Sequence, residues 1–478
     1  MNPPARSGLV SRTRDVLISD SLAHVVDLVA SIDGDEVVVA NATGSVRFSR
    51  VAPFGVTEVS GADPLASDDP LAFTPIASEP RCPPAAANAY PFGRARLAGL
   101  FDDPRAPDVA VVHSAGHYWP ERGGHLGEHG SLDAVQSRAP LLLSGAGVTT
   151  RGVLPSVARV VDVGPTLAWL AGSSLPGASG APLTSLAVPG ARHVVGLLWD
   201  GVNANSLLSL ASSGALPNVA RLLSRGCALR GGAVAEFPSV TLTNHTSALT
   251  GVGPGRHGIL HNAFYDRALG VQCVPNDSAT WHRACDWLRP GVVTLWEALA
   301  GRRTACVNEP VDRGAAYSTF GLVREQGGAD GAAGLGAALP DARVDPHASQ
   351  SWVAADESYA WGTSVDALGL AQVLSLWSDA ATRPEVMWWN TTLTDTAHHL
   401  GGPHSDVALA GLRDADARLG TFLDLVSSLG LDDDVVVLLT SDHGSEAADP
   451  SCRGDWAPAL RAAGIEFRDE SYGFLYLG

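Results

Sequence analysis

Residues 237–251 read FPSVTLTNHTSALTG. They lie downstream of an apolar run closed by an acid, HVVGLLWD at 193–200. A strand that delivers Asp200 at its C-terminal end, then a Ser/Thr-rich turn opening a helix, is how α/β enzymes build an anion site. In that reading Thr241 is a hydroxyl at a helix N-terminus, beside Asn244 and His245. A threonine alcohol is a poor nucleophile at neutral pH until something removes its proton. No single motif supplies that base.

The flanking sequence alternates strand and helix. The pattern predicts strands at 108–113, 140–144, 194–199, 228–236, 304–307, 385–389 and 434–440, and helices at 163–172, 216–225, 244–249, 294–300, 367–380 and 406–429. This alternation implies a mostly parallel sheet with helices on both faces. In such sheets ligands gather at the carboxyl ends of the strands. Asp200, Thr241, Asp395 and Asp442 all follow predicted strands, so one cleft can collect them. Near the N-terminus, 36–40 and 45–48 flank Asn41-Ala-Thr-Gly44, a small β-hairpin, while residues 1–20 read as a loose or edge segment. Residues 60–90 read as loop, and 310–360, poor in apolar residues, as a surface insertion or lid.

The chain has 478 residues, 45% of them hydrophobic, enough for a large core. A net charge of −18 argues against binding nucleic-acid polymers or acidic lipid. An anionic substrate therefore needs a local source of positive charge. No apolar run reaches the roughly 20 residues that span a bilayer, and the first 20 residues do not read as a signal peptide. Membrane association is not expected, and a cytoplasmic location is. None of the six cysteines has CxxC spacing, which argues against thiolate zinc. Free thiols are expected, although Cys273 and Cys285 are near enough in sequence to pair in an oxidising compartment.

Metal-ligand types recur at the strand ends. Asp395 and His399 stand at i, i+4 in TDTAHHLG, which puts a carboxylate and an imidazole on one helix face. Asp442-His443-Gly444 follows a buried strand, Asp200-Gly201 repeats that pattern, and His129-Gly130 adds a further imidazole. Each alone reads more readily as a turn, a solvated histidine or a local helix contact. Their joint placement around an alcohol points to a pair of metal ions.

Taken in order, these motifs resemble the alkaline phosphatase superfamily, most closely its nucleotide pyrophosphatase/phosphodiesterase branch. The resemblance covers about 193–478 and rests on Asp200-Gly201, FPSVTLTNH (237–245), HGILHN (257–262), Asp395–His399 and Ser441–Gly444. It implies that Asp395, His399 and His129 hold one divalent ion. Asp200, Asp442 and His443 would hold the other, with Thr241 as nucleophile on that ion. Asn262 and the Thr241 N–H would bind phosphate oxygens, and Asn244 and His245 would brace the turn. Zinc suits this mixed donor set best. Two such ions give +4 against three ligand carboxylates, a local excess of positive charge. The implied activity is hydrolysis of a small phosphate ester, nucleotide-like or another diester, through a covalent phosphothreonine. A phosphomonoesterase or phosphonate hydrolase on the same site is the alternative, and so is a non-catalytic, metal-stabilised binding protein. No motif speaks to the oligomeric state.

Thr243 replaces a proline common in the family, His398 rivals His399, and His125 rivals His129. The family's late metal-binding histidine has no counterpart after His443. Residues 108–172 instead resemble the family's C-terminal end, with Gly127-Glu-His-Gly130, an apolar strand and RVVDVGPTLAWLAG. The resemblance thus implies a circularly permuted order within one integrated domain. Residues 1–172 stand for the family's C-terminal part, 173–191 are a linker, and 192–478 are the catalytic core with an insertion at about 263–360. For the ester substituent, Trp199, Phe237, Phe264, Tyr265, Trp281 and Trp361 are candidate wall residues.

Overall fold

The computed structural model describes residues 3–71, 88–330, 339–471 and 473–478. The chain starts with helix α1 (Pro3–Leu17), where residues 1–20 were expected to be a loose or edge segment. Proline is tolerated in a first helical turn, and Val10, Thr13 and Leu17 form a narrow buried stripe on one face. A meander follows: β1 (Val26–Asp33), β2 (Glu36–Asn41), β3 (Gly44–Ser49) and β4 (Val56–Gly61). After it comes β5 (Val109–His113).

The chain then enters a second sheet through β6 (Leu141–Gly145) and β7 (Gly152–Leu154), and helix α2 (Val163–Leu170) follows. Next come β8 (His193–Trp199), β9 (Gly226–Leu229) and helix α3 (Thr241–Thr250). The sheet continues with β10 (Thr304–Val307) and β11 (Tyr317–Ser318), helix α4 (Glu357–Ser378), and β12 (Val386–Thr391). Helices α5 (Leu393–Gly401) and α6 (Asp406–Ser428) lead to β13 (Val435–Thr440). Helix α7 (Ala457–Ala462) precedes β14 (Phe467–Glu470) and β15 (Phe474–Leu477), which return to the first sheet.

The central sheet has eight strands in the order β11-β10-β12-β8-β13-β6-β9-β7. Its run from β11 to β13 is parallel, and β6 is antiparallel to both β13 and β9. Alternate residues of each strand face opposite layers, as the pleat requires. Val194 and Leu198 pack towards α2 and α3, whereas Val195, Leu197 and Trp199 pack towards α4 and α6. This is the α/β architecture expected, with both faces covered.

Three expectations differ from the structure. The N-terminal β region is no isolated hairpin but part of a seven-stranded antiparallel sheet, ordered β14-β15-β5-β1-β2-β3-β4. The apolar run of β1 pairs with β5 and gives the hairpin a sheet to join. Residues 304–307 and 317–318, inside the span assigned to the insertion, are strands of the central sheet. Residues 173–191 hold no helix or strand, yet Leu175, Leu186 and Ala187 are buried in the core, so the linker is packed down. Cys273 and Cys285 are both free thiols. Cys82, part of the loop read at 60–90 and part of the 310–360 insertion lie outside the described residues.

Candidate active site

Strand register levels the site. Leu198 of β8 pairs with Asn390 of β12 and with Thr440 of β13. Asp200 and Asp442 each follow two residues later, and α5 starts just beyond β12, carrying Asp395. Two donor groups result, one of Asp200, Asp442 and His443 and the other of His129, Asp395 and His399, the donor atoms of each lying within 4.8 Å of one another. His129, reached from the polar loop before β6, joins residues some 270 positions away. Its ring lies 3.8 Å from that of His443, centroid to centroid, and 5.2 Å from that of His399.

Backbone carbonyls orient the imidazoles. Nδ1 of His129 contacts Ser239 O at 3.1 Å, Nδ1 of His399 contacts Gly127 O at 2.7 Å, and Nδ1 of His443 contacts Gly444 O at 2.8 Å. Each Nδ1–H is a donor, which turns each Nε2 towards its donor group, that of His399 lying 3.1 Å from Asp395 Oδ2. The two rivals stand apart from this pair of groups. His398 also turns its Nδ1 to a backbone carbonyl, Gly201 O at 3.0 Å, but it joins no donor group among the described residues. His125 stands at the rim, its Nδ1 3.5 Å from Glu128 Oε1, and forms a third group with Glu128 and His399.

Gly201 makes the junction between the groups. Its N–H donates to Asp442 Oδ1 at 3.1 Å, its φ is +70°, and a Cβ there would lie 2.4 Å from Asp395 Oδ1. Only glycine fits so close an approach. The turn before α3 is held by Asn244, whose amide donates to Pro238 O and Val240 O and whose oxygen accepts from Glu236 N–H. Asn244 thus braces the turn that presents Thr241 at the first position of α3. Asn262 accepts from the Leu242 N–H at 3.2 Å, which points its NH₂ group away from that bond.

The residues fit a pair of divalent cations. Asp200 Oδ1, Asp395 Oδ1, Asp442 Oδ2 and His443 Nε2 are buried without a hydrogen-bond partner. Buried carboxylates without compensation are costly. Burial, then repulsion from Asp442 and Asp395, pushes the Asp200 carboxyl well above its ordinary range. Burial acts the same way on Asp395, but the charge and hydrogen bond of His399 outweigh it and hold that carboxyl well below its ordinary range. Burial and then His443 drive His129 far down, so its ring is neutral, as a ligand must be.

Two cavities flank the cluster. One of about 380 Å³ is lined by Asp200, Thr241, His245, Trp281, Phe320 and Trp361 among others. The other, about 160 Å³, is lined by His125, His129, His399 and Asn262. Of the six aromatic wall candidates, Trp281 and Trp361 line the larger cavity, and Phe320 was not foreseen. Trp199, Phe237 and Phe264 are core residues, and Tyr265 packs against Tyr476. Arg256 donates to Gly177 O in the wall of a separate cavity. Sequence reasoning also missed Glu309, fully buried 2.9 Å from His245. Its signal was placement, since it follows β10 as Asp200 follows β8.

Fold and donor set together define an alkaline phosphatase-like α/β protein of the nucleotide pyrophosphatase branch. The sequence model of the type I phosphodiesterase/nucleotide pyrophosphatase family matches residues 194–472, more than half the chain, and the chain belongs to that family. It is 35% identical over 113 residues to the alkaline phosphatase PafA of Elizabethkingia meningoseptica, covering 23% of this chain and 20% of that protein. Among solved structures it resembles murine ectonucleotide pyrophosphatase/phosphodiesterase 5, at 17% identity and a TM-score of 0.35, over 53% of this chain and 57% of that one. It also resembles the phosphonoacetate hydrolase of Sinorhizobium meliloti 1021 in complex with phosphonoformate, at 23% identity and a TM-score of 0.35, over 54% and 57%. The chain spans less than two thirds of each of these relatives. Among the described residues no helix is long and apolar enough to cross a membrane.

Proposed function

We propose that this protein hydrolyses phosphodiesters through Thr241 at a two-cation site. The observation that carries the reading is the gathering of two three-residue donor groups beside the cavity that Thr241 lines. Asp200, Asp442 and His443 would hold one ion, and Asp395, His399 and His129 the other, with zinc the best match to the donors. Bound cations supply Lewis-acid charge that makes the threonine hydroxyl acidic and offsets the charge of the transition state.

Thr241 Oγ1 attacks phosphorus, the bond from phosphorus to the leaving alcohol's oxygen breaks, and the retained half stays as an ester on Thr241. Water then cleaves that ester and restores the hydroxyl. The N-terminus of α3 offers backbone N–H groups to the phosphoryl oxygens, and the Asn262 NH₂ group is free to do the same. The larger cavity receives one ester substituent. No Arg or Lys lines it among the described residues, and three aromatic rings do, which favours an uncharged substituent over a second phosphoryl oxygen.

Thr241→Ala should lower turnover of a nitrophenyl phosphodiester by at least about 10³-fold with the bound-cation count unchanged. Retained turnover contradicts the nucleophile assignment. A monoesterase is the second reading, favoured by the likeness to PafA. It predicts that the matching monoester is the better substrate.

The position of His129 supports a permuted order as well. The family match starts at residue 194, yet His129, before that span, completes a donor group. β6 likewise extends the central sheet from outside the matched span. In this reading residues 1–172 do the work of the family's C-terminal part, within one integrated domain.

A further inference from the structure

We infer that His245 and Glu309 form a positioning pair that fixes the carboxylates of Asp200 and Asp442; this rests on the two-cation reading above. His245 lies one helical turn after Thr241 on α3 and is buried. Its Nε2 points between the two carboxylates, 3.5 Å from Asp442 Oδ2 and 3.8 Å from Asp200 Oδ2. Its Nδ1 lies 2.9 Å from Glu309 Oε2.

Glu309 is itself anchored twice. Its Oε2 accepts from the Trp388 indole N–H at 3.0 Å, and its Oε1 accepts from the Val311 N–H at 3.0 Å. A line of contacts thus runs from β12, through Glu309 and the His245 ring, to the carboxylates of two proposed ligands. Asp442 is already held on its other oxygen, where Oδ1 accepts from the Gly201 N–H and the Ser441 hydroxyl, each at 3.1 Å. His245 supplies the missing side of that clamp.

A histidine that merely filled the core would have no need of a buried carboxylate behind it. Burying Glu309 is costly unless it is partnered, and the His245 imidazole lies within ion-pair distance of it, beside the Trp388 and Val311 N–H donors. Groups that orient ligand carboxylates in this way tune cation affinity, with losses of about 10–100-fold when they are removed. His245 also stands on the helix that presents Thr241. The pair therefore ties the nucleophile's helix to the carboxylates of one ion and leaves Asp395, His399 and His129 untouched.

The test is a zinc titration of metal-stripped protein against a chelating dye, with melting of the metal-free protein measured in parallel. Wild type should take up two zinc ions. Glu309→Gln keeps the shape but has one acceptor oxygen in place of two, so it loses the carboxylate and one of the two N–H contacts. It should retain one site at wild-type affinity and weaken the other by about 10–100-fold, beside a small drop in metal-free melting. Trp388→Phe, which removes one anchor of Glu309, should weaken the same site by less, and it serves if Glu309→Gln does not fold. Two sites of wild-type affinity in both variants overturn the inference. Equal weakening of both sites overturns it too, as does a lowered metal-free melting temperature with both affinities unchanged. A wild type that binds no zinc fails differently, since it removes the two-cation reading itself.

Discussion

Asp27 sits on β1 of the seven-stranded sheet, 3% exposed, with Asn88 and Tyr90 donating to its Oδ2 at 2.9 and 2.7 Å. Burial raises its carboxyl to about 7 despite those two bonds. A folded-state pKa above the unfolded value means the stabilising contribution is complete below about pH 4 and is lost as pH rises through about 7. Asp27→Asn removes that titration. Between pH 4 and 7, wild type should lose stability relative to the variant, at up to about 1.4 kcal/mol per pH unit. Parallel stability curves over that range would contradict the assignment. The site residues at this scale were legible because each came in a short motif with a fixed ligand spacing. Two ambiguities, His398 against His399 and His125 against His129, were not resolvable from spacing. In the structure His129 and His399 share a donor group with Asp395, His125 stands in another with Glu128 and His399, and His398 stands in none among the described residues. The contact between His245 and Glu309 was hidden because it joins a residue inside α3 to one just after β10, and no local pattern records it.

Helix α5 shows what an element needs to carry a site. It presents Asp395 and His399 one turn apart, so its N-terminus must be fixed. Asp366 of α4 does this, accepting from the Thr392 N–H at 2.8 Å and the Leu393 N–H at 3.3 Å. Asp366 lies 4.0 Å from the buried Arg418, which pairs with Asp345 at 2.6 Å. Asp366→Ala leaves the half-buried Thr392 N–H and the buried Leu393 N–H without their acceptor. The expected cost is about 2–3 kcal/mol, read by denaturant unfolding, with the Asp395/His399 ion bound more weakly. An unchanged unfolding midpoint would show that α5 is held by packing alone. The i, i+4 spacing of Asp395 and His399 was readable, but this anchor lies about 30 residues upstream in a helix predicted to start only at 367. Helix α1 was missed for another reason. Its apolar face is a thin stripe among arginines and serines, too narrow for periodicity to mark.

At the scale of the molecule, the central sheet was legible at β6, β8, β10, β12 and β13, each an apolar run closed by a polar turn, but not at the short strands β7 and β11. The antiparallel sheet was not, because it is assembled from both ends of the chain, with β14 and β15 against β5 and β1. Asp108 joins these ends, accepting from Arg6 at 2.6 Å and from the Leu477 N–H at 2.8 Å. The account turns on six side chains, from His129 to His443, meeting around two cations. Anomalous diffraction at the zinc edge, from crystals grown with zinc, tests that meeting most directly. The account predicts two peaks, one bounded by Asp200, Asp442 and His443 and one by Asp395, His399 and His129. A single peak, or density bounded by other residues, would contradict it.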